Sequence, residues 1–298
     1  MTHFNTKTVA LCSTARFVEP SVIETAKTWL IEQGFHVVLA KNLTQKHHQF
    51  GGTDQERTEA FQKLIDSEKV DAIWCVRGGY GTVRMLDGLN WTIFKQHPKQ
   101  LIGFSDFTIL LNHVLQFDIS SIHSPMPIQF EKLDEACKTR LAAVLKGQLD
   151  SIDWKSDELS AQTSVSGTLI GGNLSMLYSF MGSESYPKTE QSIFFIEDLD
   201  EYSYHIDRMM YGLERSGSLN QINAILVGDF IAIHDHAIPF GETAEEILIK
   251  FAKRLNIPIY FNFPAGHSDI NNPIVLGEKI KISPNANHSY TLNYVEKD

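Results

Sequence analysis

The first half of the sequence alternates short apolar runs with longer amphipathic stretches, and this alternation restricts the possible folds more than any other feature. The runs that we interpret as strands are TVALCST, FHVVLA, DAIWCVRGG and LIGFS, and the stretches between them have helical periodicity. Strands that are apolar along their whole length, separated by amphipathic helices, indicate βαβ units and a parallel sheet covered on both faces. In such sheets, ligands bind at the carboxyl ends of the strands.

The second half has a different pattern. A polar stretch without clear periodicity separates the two halves, and the residues after it mix helices with strands and end in the β-rich KIKISPNANHSYTLNY. We therefore predict an α/β protein with an N-terminal parallel-sheet, flavodoxin-like domain over 1–147. A linker over 148–166 then leads to a smaller, β-rich α+β domain over 167–298.

The composition restricts the partners and the location. The formal net charge is −10 without any run of lysine and arginine, which argues against nucleic acid and against an anionic membrane surface. No segment approaches the roughly 20 apolar residues of a membrane span, and the start is more typical of a first strand than of a signal peptide. Cys12, Cys75 and Cys137 are widely spaced and form no metal-binding pattern, so we expect a cytoplasmic protein.

Ser105 and Asp106 lie where the apolar run LIGF passes into the apolar stretch TILLNHVL. A serine on a sharp strand-to-helix turn projects its hydroxyl outward, as in the nucleophile elbow of hydrolases, although the second glycine of that motif is missing here. The N–H of Asp106 would lie at a helix start, where N–H groups are free and the helix dipole favours negative charge. The same pair also fits a helix N-cap, so the stretch alone allows both interpretations.

The segment VRGGYG (76–81) follows another predicted strand. Consecutive glycines let the backbone approach a ligand closely, and the N–H of Gly79 is a second candidate donor to an oxyanion. A turn that needs positive φ explains these glycines equally well. A phosphate-binding loop does not fit, because no G-K-[ST] ending follows.

A serine nucleophile also needs a base and a group that orients the base. Glu197, followed by Asp198, comes directly after four apolar residues in FFIEDLDE, and His267 follows an apolar strand and a Pro-Ala-Gly turn in FNFPAGHSD. Both positions suit a cleft, and both also suit an ordinary loop. Along the chain the three residues give the order Ser, Glu, His, which one hydrolase fold uses.

Taken together, these segments resemble the LD-carboxypeptidase family, serine peptidases that include muramoyl-tetrapeptide carboxypeptidases and microcin C7 self-immunity proteins. The matching segments recur in the family's order over nearly the whole chain: RGGYG (77–81), GFSDFT (103–108), GTLIGGNLSML (167–177), IEDLDE with IDRMMYGLERSG (196–217) and GHSDINNPIVLG (266–277). The chain departs from the family in CSTAR, where the family usually has a Pro-Ser-Gly turn. It departs again at Phe104, where the family often has tyrosine.

The resemblance implies that Ser105 is the nucleophile, His267 the general base and Glu197 the residue that orients the imidazole. It implies that the backbone N–H groups of Gly79 and Asp106 are the oxyanion donors. Because Ser105 falls in one predicted domain and Glu197 and His267 in the other, we expect the active site between the domains. The resemblance also suggests a homodimer, and this mechanism requires no metal or other cofactor.

The resemblance further implies the reaction: hydrolysis of the L,D amide bond that releases the C-terminal D-alanine of a murein tetrapeptide, in peptidoglycan recycling. The leaving D-alanine has a free carboxylate, and a buried carboxylate needs a cation. Arg77 and Arg84 flank the glycine segment and are candidates, with surface solvation or a structural ion pair as the alternative. Asn173 in GGNL either donates a hydrogen bond in the cleft or caps the following helix.

Three alternative functions stay open. An immunity-type enzyme that cleaves peptidyl- or aminoacyl-nucleotide amides would need an aromatic platform for the base, and Trp29, Trp74, Trp91 and Trp154 are not obviously placed for it. A metal hydrolase would use HDH (234–236) with His267 or Asp269, although no further ligand has convincing spacing. A binding protein without catalysis would have no need for an activated hydroxyl.

Overall fold

The computed structural model describes residues 6–156 and 160–295. They form two compact units. The first unit comprises the described residues of 2–148 together with 272–275, and the second comprises those of 149–271 and 276–298.

The secondary-structure elements follow the alternation that the sequence predicts. The strands are β1 (Thr8–Cys12), β2 (His36–Leu39), β3 (Ala72–Cys75), β4 (Gln100–Gly103), β5 (Ser121–His123), β6 (Ile152–Lys155), β7 (Val165–Asn173), β8 (Ser192–Leu199), β9 (Ile222–Ile231), β10 (Ile259–Tyr260), β11 (Ile274–Leu276), β12 (Lys279–Pro284) and β13 (Ser289–Tyr294). The helices are α1 (Pro20–Glu32), α2 (Asp54–Ile65), α3 (Val83–Leu86), α4 (Thr92–Gln96), α5 (Thr108–His113), α6 (Glu135–Leu145), α7 (Leu174–Ser179), α8 (Ser203–Arg215) and α9 (Ala244–Leu255). Within the described ranges, none of the helices combines the length and the apolarity that crossing a bilayer requires.

The first unit contains a six-stranded sheet in the order β2-β1-β3-β4-β5-β11. The pairs among β1 to β5 are parallel. The order 2-1-3-4-5 is the flavodoxin-like arrangement. Every residue of β3, β4 and β5 is buried, as expected for central strands of a parallel sheet that is covered on both faces. The predicted fold class of this half is confirmed.

The second unit contains a seven-stranded sheet in the order β10-β9-β8-β7-β12-β13-β6. Strands β7 to β10 pair in parallel, whereas β12, β13 and β6 add an antiparallel extension. This mixture of a parallel core with an antiparallel edge fits the predicted α+β, β-rich domain. Helices α8 and α9 have their apolar faces buried, including Met209 and Phe251.

The unit boundaries differ from the predicted domain boundaries in two places. Strand β6 lies inside 148–166, the stretch predicted as a linker, and its residues Ile152 and Trp154 are buried while the two between and after them are exposed. Four residues of alternating burial are too short to stand out in a polar stretch. Residues 272–275 lie in the first unit, because β11 adds to the edge of its sheet beside β5.

Candidate active site

Ser105 lies at a sharp bend directly after β4. Phe104 is extended, with φ −158° and ψ −167°, and a 3-10 turn over Ser105–Phe107 then leads into α5. The φ of Ser105 is +58°, in the left-handed region that costs an ordinary residue on the order of 1–3 kcal/mol. Gly103 permits the bend, because a Cβ at that position would lie 2.7 Å from the ring of Phe107. The bend leaves Ser105 partly exposed while its neighbours are buried.

The glycine segment after β3 lies against this bend. A Cβ built on Gly78 would be 3.4 Å from the Cβ of Ser105 and 3.4 Å from the backbone nitrogen of Asp106. Gly79 has a φ of +107°, which L-residues rarely adopt. The structure therefore brings Gly79, Ser105 and Asp106 into one place within the first unit.

Two backbone N–H groups at this place have no acceptor among the residues that the structure describes. Among the hydrogen bonds of residues 6–156 and 160–295, neither the N–H of Gly79 nor the N–H of Asp106 donates to another protein atom. The carboxylate of Asp106 has a structural contact, since its Oδ2 accepts from the N–H of Thr82 at 3.0 Å. Burial raises the pKa of Asp106. The free N–H groups match what an oxyanion hole needs: donors fixed before the reaction.

Glu197 and His267 form a buried pair in the second unit. The Nδ1 of His267 lies 2.5 Å from the Oε2 of Glu197, and Glu197 is completely buried at the end of β8. A β-bulge lies beside it: Ile196 pairs with Val227 but Asp198 pairs with Phe230, so one residue of β8 faces two of β9. Such bulges redirect side chains and are frequent next to active sites.

The pair changes the acid–base properties of His267. Burial lowers the pKa of the imidazole, but the charge of Glu197 and its hydrogen bond outweigh burial, and the pKa of His267 is raised above its ordinary value of 6.5. A hydrogen bond from Nδ1–H to a carboxylate also fixes which ring nitrogen carries the proton and leaves Nε2 to act as a base. This is the arrangement that a general base in a serine hydrolase requires.

The loop that carries His267 is held by two side chains that the sequence analysis missed. The Oδ2 of Asp229 accepts from the N–H of Ser268 at 2.9 Å, and the Oδ1 of Asn271 accepts from the N–H of Gly266 at 3.1 Å. Gly266 has a φ of +145°, and a Cβ there would lie 2.7 Å from the Cβ of Asp229. Asp229 follows the apolar run ILVG, which is the same pattern that indicates Glu197 and could have identified Asp229 as well.

Comparisons with known proteins identify the family of the chain. The N-terminal domain model of the LD-carboxypeptidases matches residues 8–124, and the corresponding C-terminal domain model matches residues 166–282. The chain belongs to the LD-carboxypeptidase family. It is therefore a peptidase, and the predicted family and enzyme class are confirmed.

Relatives of the family resemble the chain over most of its length. A probable murein peptide carboxypeptidase of Bacillus subtilis is 30% identical over 91% of this chain and 87% of its own length. The murein tetrapeptide carboxypeptidase of Pseudomonas aeruginosa is 28% identical, with 93% of each chain covered. The crystal structure of muramoyltetrapeptide carboxypeptidase from Oxalobacter formigenes superposes with a TM-score of 0.89 at 25% identity, covering 97% of this chain and 99% of that one.

Asn173 caps a helix of the second unit. Its Oδ1 accepts from the N–H of Met176 at 3.1 Å and so caps α7, and its Nδ2 donates to the Oδ1 of Asp198 at 2.8 Å. Burial and then the charge of Glu197 raise the pKa of Asp198 to about 7. Both ends of the Asn173 amide are thus used within the second unit, as in the capping alternative.

The two arginines that flank the glycine segment differ in their contacts. Arg84 forms an ion pair of 2.6 Å with Asp54 and stacks on Phe50. Arg77 donates from Nη1 to the carbonyl oxygen of Phe17 at 2.9 Å and is only partly buried.

The histidines of the HDH segment have partners of other kinds. His234 Nε2 lies 2.6 Å from Asp200, and the ring of His236 stacks on Tyr202 and Tyr204 at 4.7 and 5.2 Å between centroids. In the part of the chain that the structure describes, no three His, Cys, Asp or Glu side chains are grouped as metal ligands.

Proposed function

We propose that the chain is a serine-type LD-carboxypeptidase that releases the C-terminal D-alanine of a murein tetrapeptide, in peptidoglycan recycling. The observation that carries this proposal is the completely buried carboxylate of Glu197, 2.5 Å from the Nδ1 of His267. A buried carboxylate in this position orients the imidazole and stabilises the imidazolium that forms during acyl transfer. The murein-peptide names of relatives that span almost the whole chain support the substrate class.

In this proposal, Ser105, His267 and Glu197 form the catalytic triad. The Oγ of Ser105 attacks the scissile carbonyl carbon while its proton moves to the Nε2 of His267. When the tetrahedral intermediate collapses, the C–N bond breaks and His267 returns the proton to the leaving nitrogen of D-alanine. Water, deprotonated by the same histidine, then cleaves the ester and releases the tripeptide and free Ser105.

The N–H groups of Gly79 and Asp106 bind the oxyanion in both tetrahedral intermediates. Each donor of this kind lowers the barrier by roughly 3–4 kcal/mol. Support comes from the lack of another acceptor for either group among the described residues, and from the fixed backbone around them. The bend at Ser105 places the N–H of Asp106 at the first turn before α5, where the helix dipole also favours the negative oxygen.

We also propose a cytoplasmic homodimer that acts on a small peptide and has no nucleic acid or membrane partner. The three cysteines Cys12, Cys75 and Cys137 are all free and buried, which fits a reducing compartment. The net charge of −10 disfavours polyanionic partners. The dimer rests on the family resemblance alone.

The proposed activity is tested by incubation of the purified chain with a murein tetrapeptide that ends in D-alanine, in water enriched in ¹⁸O. Mass analysis should find free D-alanine without label and a tripeptide with label in its new carboxylate. The same peptide with a C-terminal L-alanine is the matched control and should be cleaved far more slowly. If no D-alanine is released, or if the enzyme cleaves an internal bond, the proposed reaction is wrong.

A second candidate function is cleavage of aminoacyl- or peptidyl-nucleotide amides. The microcin C7 self-immunity protein, whose structure with aspartyl sulfamoyl adenosine is known, superposes with a TM-score of 0.84, but at 20% identity this likeness shows the fold alone. Trp74 and Trp154 are buried, and their indole N–H groups donate to the carbonyls of Pro125 and Phe261. Neither indole is therefore exposed as a platform for a base. Aspartyl sulfamoyl adenosine in the same assay separates the two functions.

A further inference from the structure

Arg16 lies on the glycine segment beside the proposed nucleophile. A Cβ built on Gly79 would be 2.7 Å from both the Cδ and the Nε of Arg16, so the arginine side chain covers the glycine directly. The neighbouring Gly78 approaches Ser105 at 3.4 Å by the same measure. Arg16, the glycine segment with the candidate oxyanion donor, and the proposed nucleophile Ser105 therefore lie side by side within the first unit.

The backbone of Arg16 is fixed at this place. Its N–H donates to the carbonyl of Gly78 at 3.4 Å, and its own carbonyl accepts from the Oγ of Ser13 at 3.0 Å. It also forms an isolated antiparallel bridge with Phe50. The side chain is exposed, so a cation on an anchored backbone faces solvent next to Gly79.

The charge of Arg16 is not balanced by any carboxylate that the structure describes. In residues 6–156 and 160–295, neither Arg16 nor Arg77 has an ion-pair partner, whereas Arg57 and Arg84 both pair with Asp54. Burial, and then the charge of Arg16, lower the pKa of Arg77, which shows that the two guanidinium groups repel each other. An anion bound at Arg16 would relieve this repulsion.

The terminal carboxylate of the proposed substrate lies close enough to the scissile carbonyl to reach Arg16 when that carbonyl is bound at Gly79. In a peptide that ends in D-alanine, only the nitrogen and the Cα separate the scissile carbonyl carbon from the terminal carboxylate carbon, and ordinary bond lengths put these carbons roughly 3–4 Å apart. If the N–H of Gly79 holds the scissile oxygen, the carboxylate must lie within a few ångströms of Gly79. The guanidinium of Arg16 already lies there.

We infer that Arg16 binds the free C-terminal carboxylate of the substrate and thereby restricts the enzyme to the last residue of a peptide. The planar guanidinium suits a two-bond contact with a carboxylate, which lysine cannot make. This inference rests on the proposed function and names the residue of the proposed site that recognises the substrate terminus. It replaces the sequence-based candidate Arg84, whose guanidinium is paired with Asp54. The arginine lies in CSTAR, the stretch where the sequence departs from the Pro-Ser-Gly turn of the family.

The test compares two murein tetrapeptides, one with a free C-terminal carboxylate and one with a C-terminal amide, on the wild type and on Arg16→Gln. We expect the wild type to prefer the free acid, and the acid-to-amide ratio of kcat/KM to fall by about 10–100-fold in Arg16→Gln, the size of a lost charged hydrogen bond. Arg16→Lys should keep part of the preference, because it keeps the charge but not the planar contact. Arg215→Gln, at an exposed arginine of α8 in the second unit, is the control and should keep the wild-type ratio.

The outcomes separate this inference from the proposed function. If the wild type releases D-alanine and prefers the free acid, but Arg16→Gln retains that preference, the inference is wrong while the proposed function stands. A collapse of the ratio in Arg84→Gln instead of Arg16→Gln would assign the contact to Arg84 and overturn the inference in the same way. If the wild type cleaves neither peptide, the proposed function fails and the inference falls with it.

Discussion

In the proposed mechanism, the Ser105 bend and the Glu197–His267 pair prepare their residues for catalysis by different physical means. At Ser105 the backbone provides the preparation, through a φ of +58°, a neighbouring glycine at +107° and two N–H groups that have no acceptor in the described part of the chain. At His267 a buried charge provides the preparation: the carboxylate of Glu197 has no exposed surface, and its Oε2 lies 2.5 Å from the Nδ1 of His267. The first region depends on shape and the second on ionisation.

This difference predicts how each region fails. The bend should respond to substitutions that change steric fit and should be insensitive to pH, because backbone amides do not titrate. The pair should respond to substitutions that preserve shape but remove charge, and it should respond to pH.

The largest effect is expected from loss of the Ser105 hydroxyl. Ser105→Ala should reduce kcat for D-alanine release by about 10⁴–10⁶-fold, as expected for removal of a triad nucleophile, with the fold intact. Ser105→Gly should be equally inactive, but its free energy of unfolding should exceed that of Ser105→Ala by about 1 kcal/mol, because glycine has no penalty at positive φ. Equal stability of the two variants would contradict the strain that we assign to this bend.

The next largest effect is expected when Glu197 loses its charge. Glu197→Gln keeps the side-chain shape but no longer stabilises the imidazolium, and kcat should fall by about 10³–10⁴-fold. Glutamine avoids leaving an unpaired charge in the core, so circular dichroism should show a folded protein. A loss below tenfold in steady-state kinetics would remove Glu197 from the orienting position.

A smaller effect is expected at Gly79. Gly79→Ala introduces a Cβ that meets Arg16 and an unfavourable φ of +107°, so the N–H should move and kcat should fall by about 10²–10³-fold. Gly34→Ala is the matched control, since Gly34 also has positive φ, +90°, but has no atom within 4 Å of an added Cβ. The control should lose stability in denaturant unfolding and keep its kcat. If both variants keep wild-type kcat, the N–H of Gly79 is not an oxyanion donor.

The smallest effect is a shift of the pH profile. Because the pKa of His267 is raised above 6.5, and the base must be neutral, the acid limb of kcat/KM should lie above pH 6.5. Without the charge of Glu197, burial lowers the pKa, so the limb should move to lower pH in Glu197→Gln. Gly79→Ala should leave the limb where it is in the wild type. A limb that stays in place in Glu197→Gln would contradict the coupling.

The raised pKa of His267 also predicts that stability changes with pH in the direction opposite to activity. A raised histidine pKa stabilises the folded state fully below the unfolded value of 6.5, and this contribution is lost as pH rises through the folded pKa. The activity should therefore increase over the pH range in which this part of the stability decreases. Urea unfolding at a series of pH values from 6.5 upward measures this decrease in the free energy of unfolding.

Local patterns in the sequence predicted the first region better than the second. The alternation of apolar and amphipathic segments identified the parallel sheet, and both GFSD and VRGGYG fall at the ends of its strands, as predicted. That Ser105 itself adopts a positive φ was not predictable, because serine rarely does so. Strand β6 was not predictable from local pattern, because its burial depends on pairing with β13, more than 130 residues later.

The second region depends on contacts between residues far apart in the sequence. Glu197 and His267 are separated by 70 residues, and the spacing alone is equally compatible with two ordinary loop residues. The contacts of Asp229 and Asn271 were not predictable, because both side chains accept hydrogen bonds from backbone N–H groups of a loop whose path the sequence does not reveal. The proposed contact of Arg16 was not predictable, because it depends on the position of Arg16 against Gly79, which lies at the end of another strand.

The most direct test of the account is a double-variant cycle between the two regions, with D-alanine release measured for Ser105→Ala, His267→Gln and the variant that carries both changes. If Ser105 and His267 act as one catalytic unit, each single variant loses most of the activity and the double variant is no slower than Ser105→Ala. If the losses multiply in the double variant, or if His267→Gln turns over at the wild-type rate, the two residues do not work on the same proton and the proposed triad is wrong.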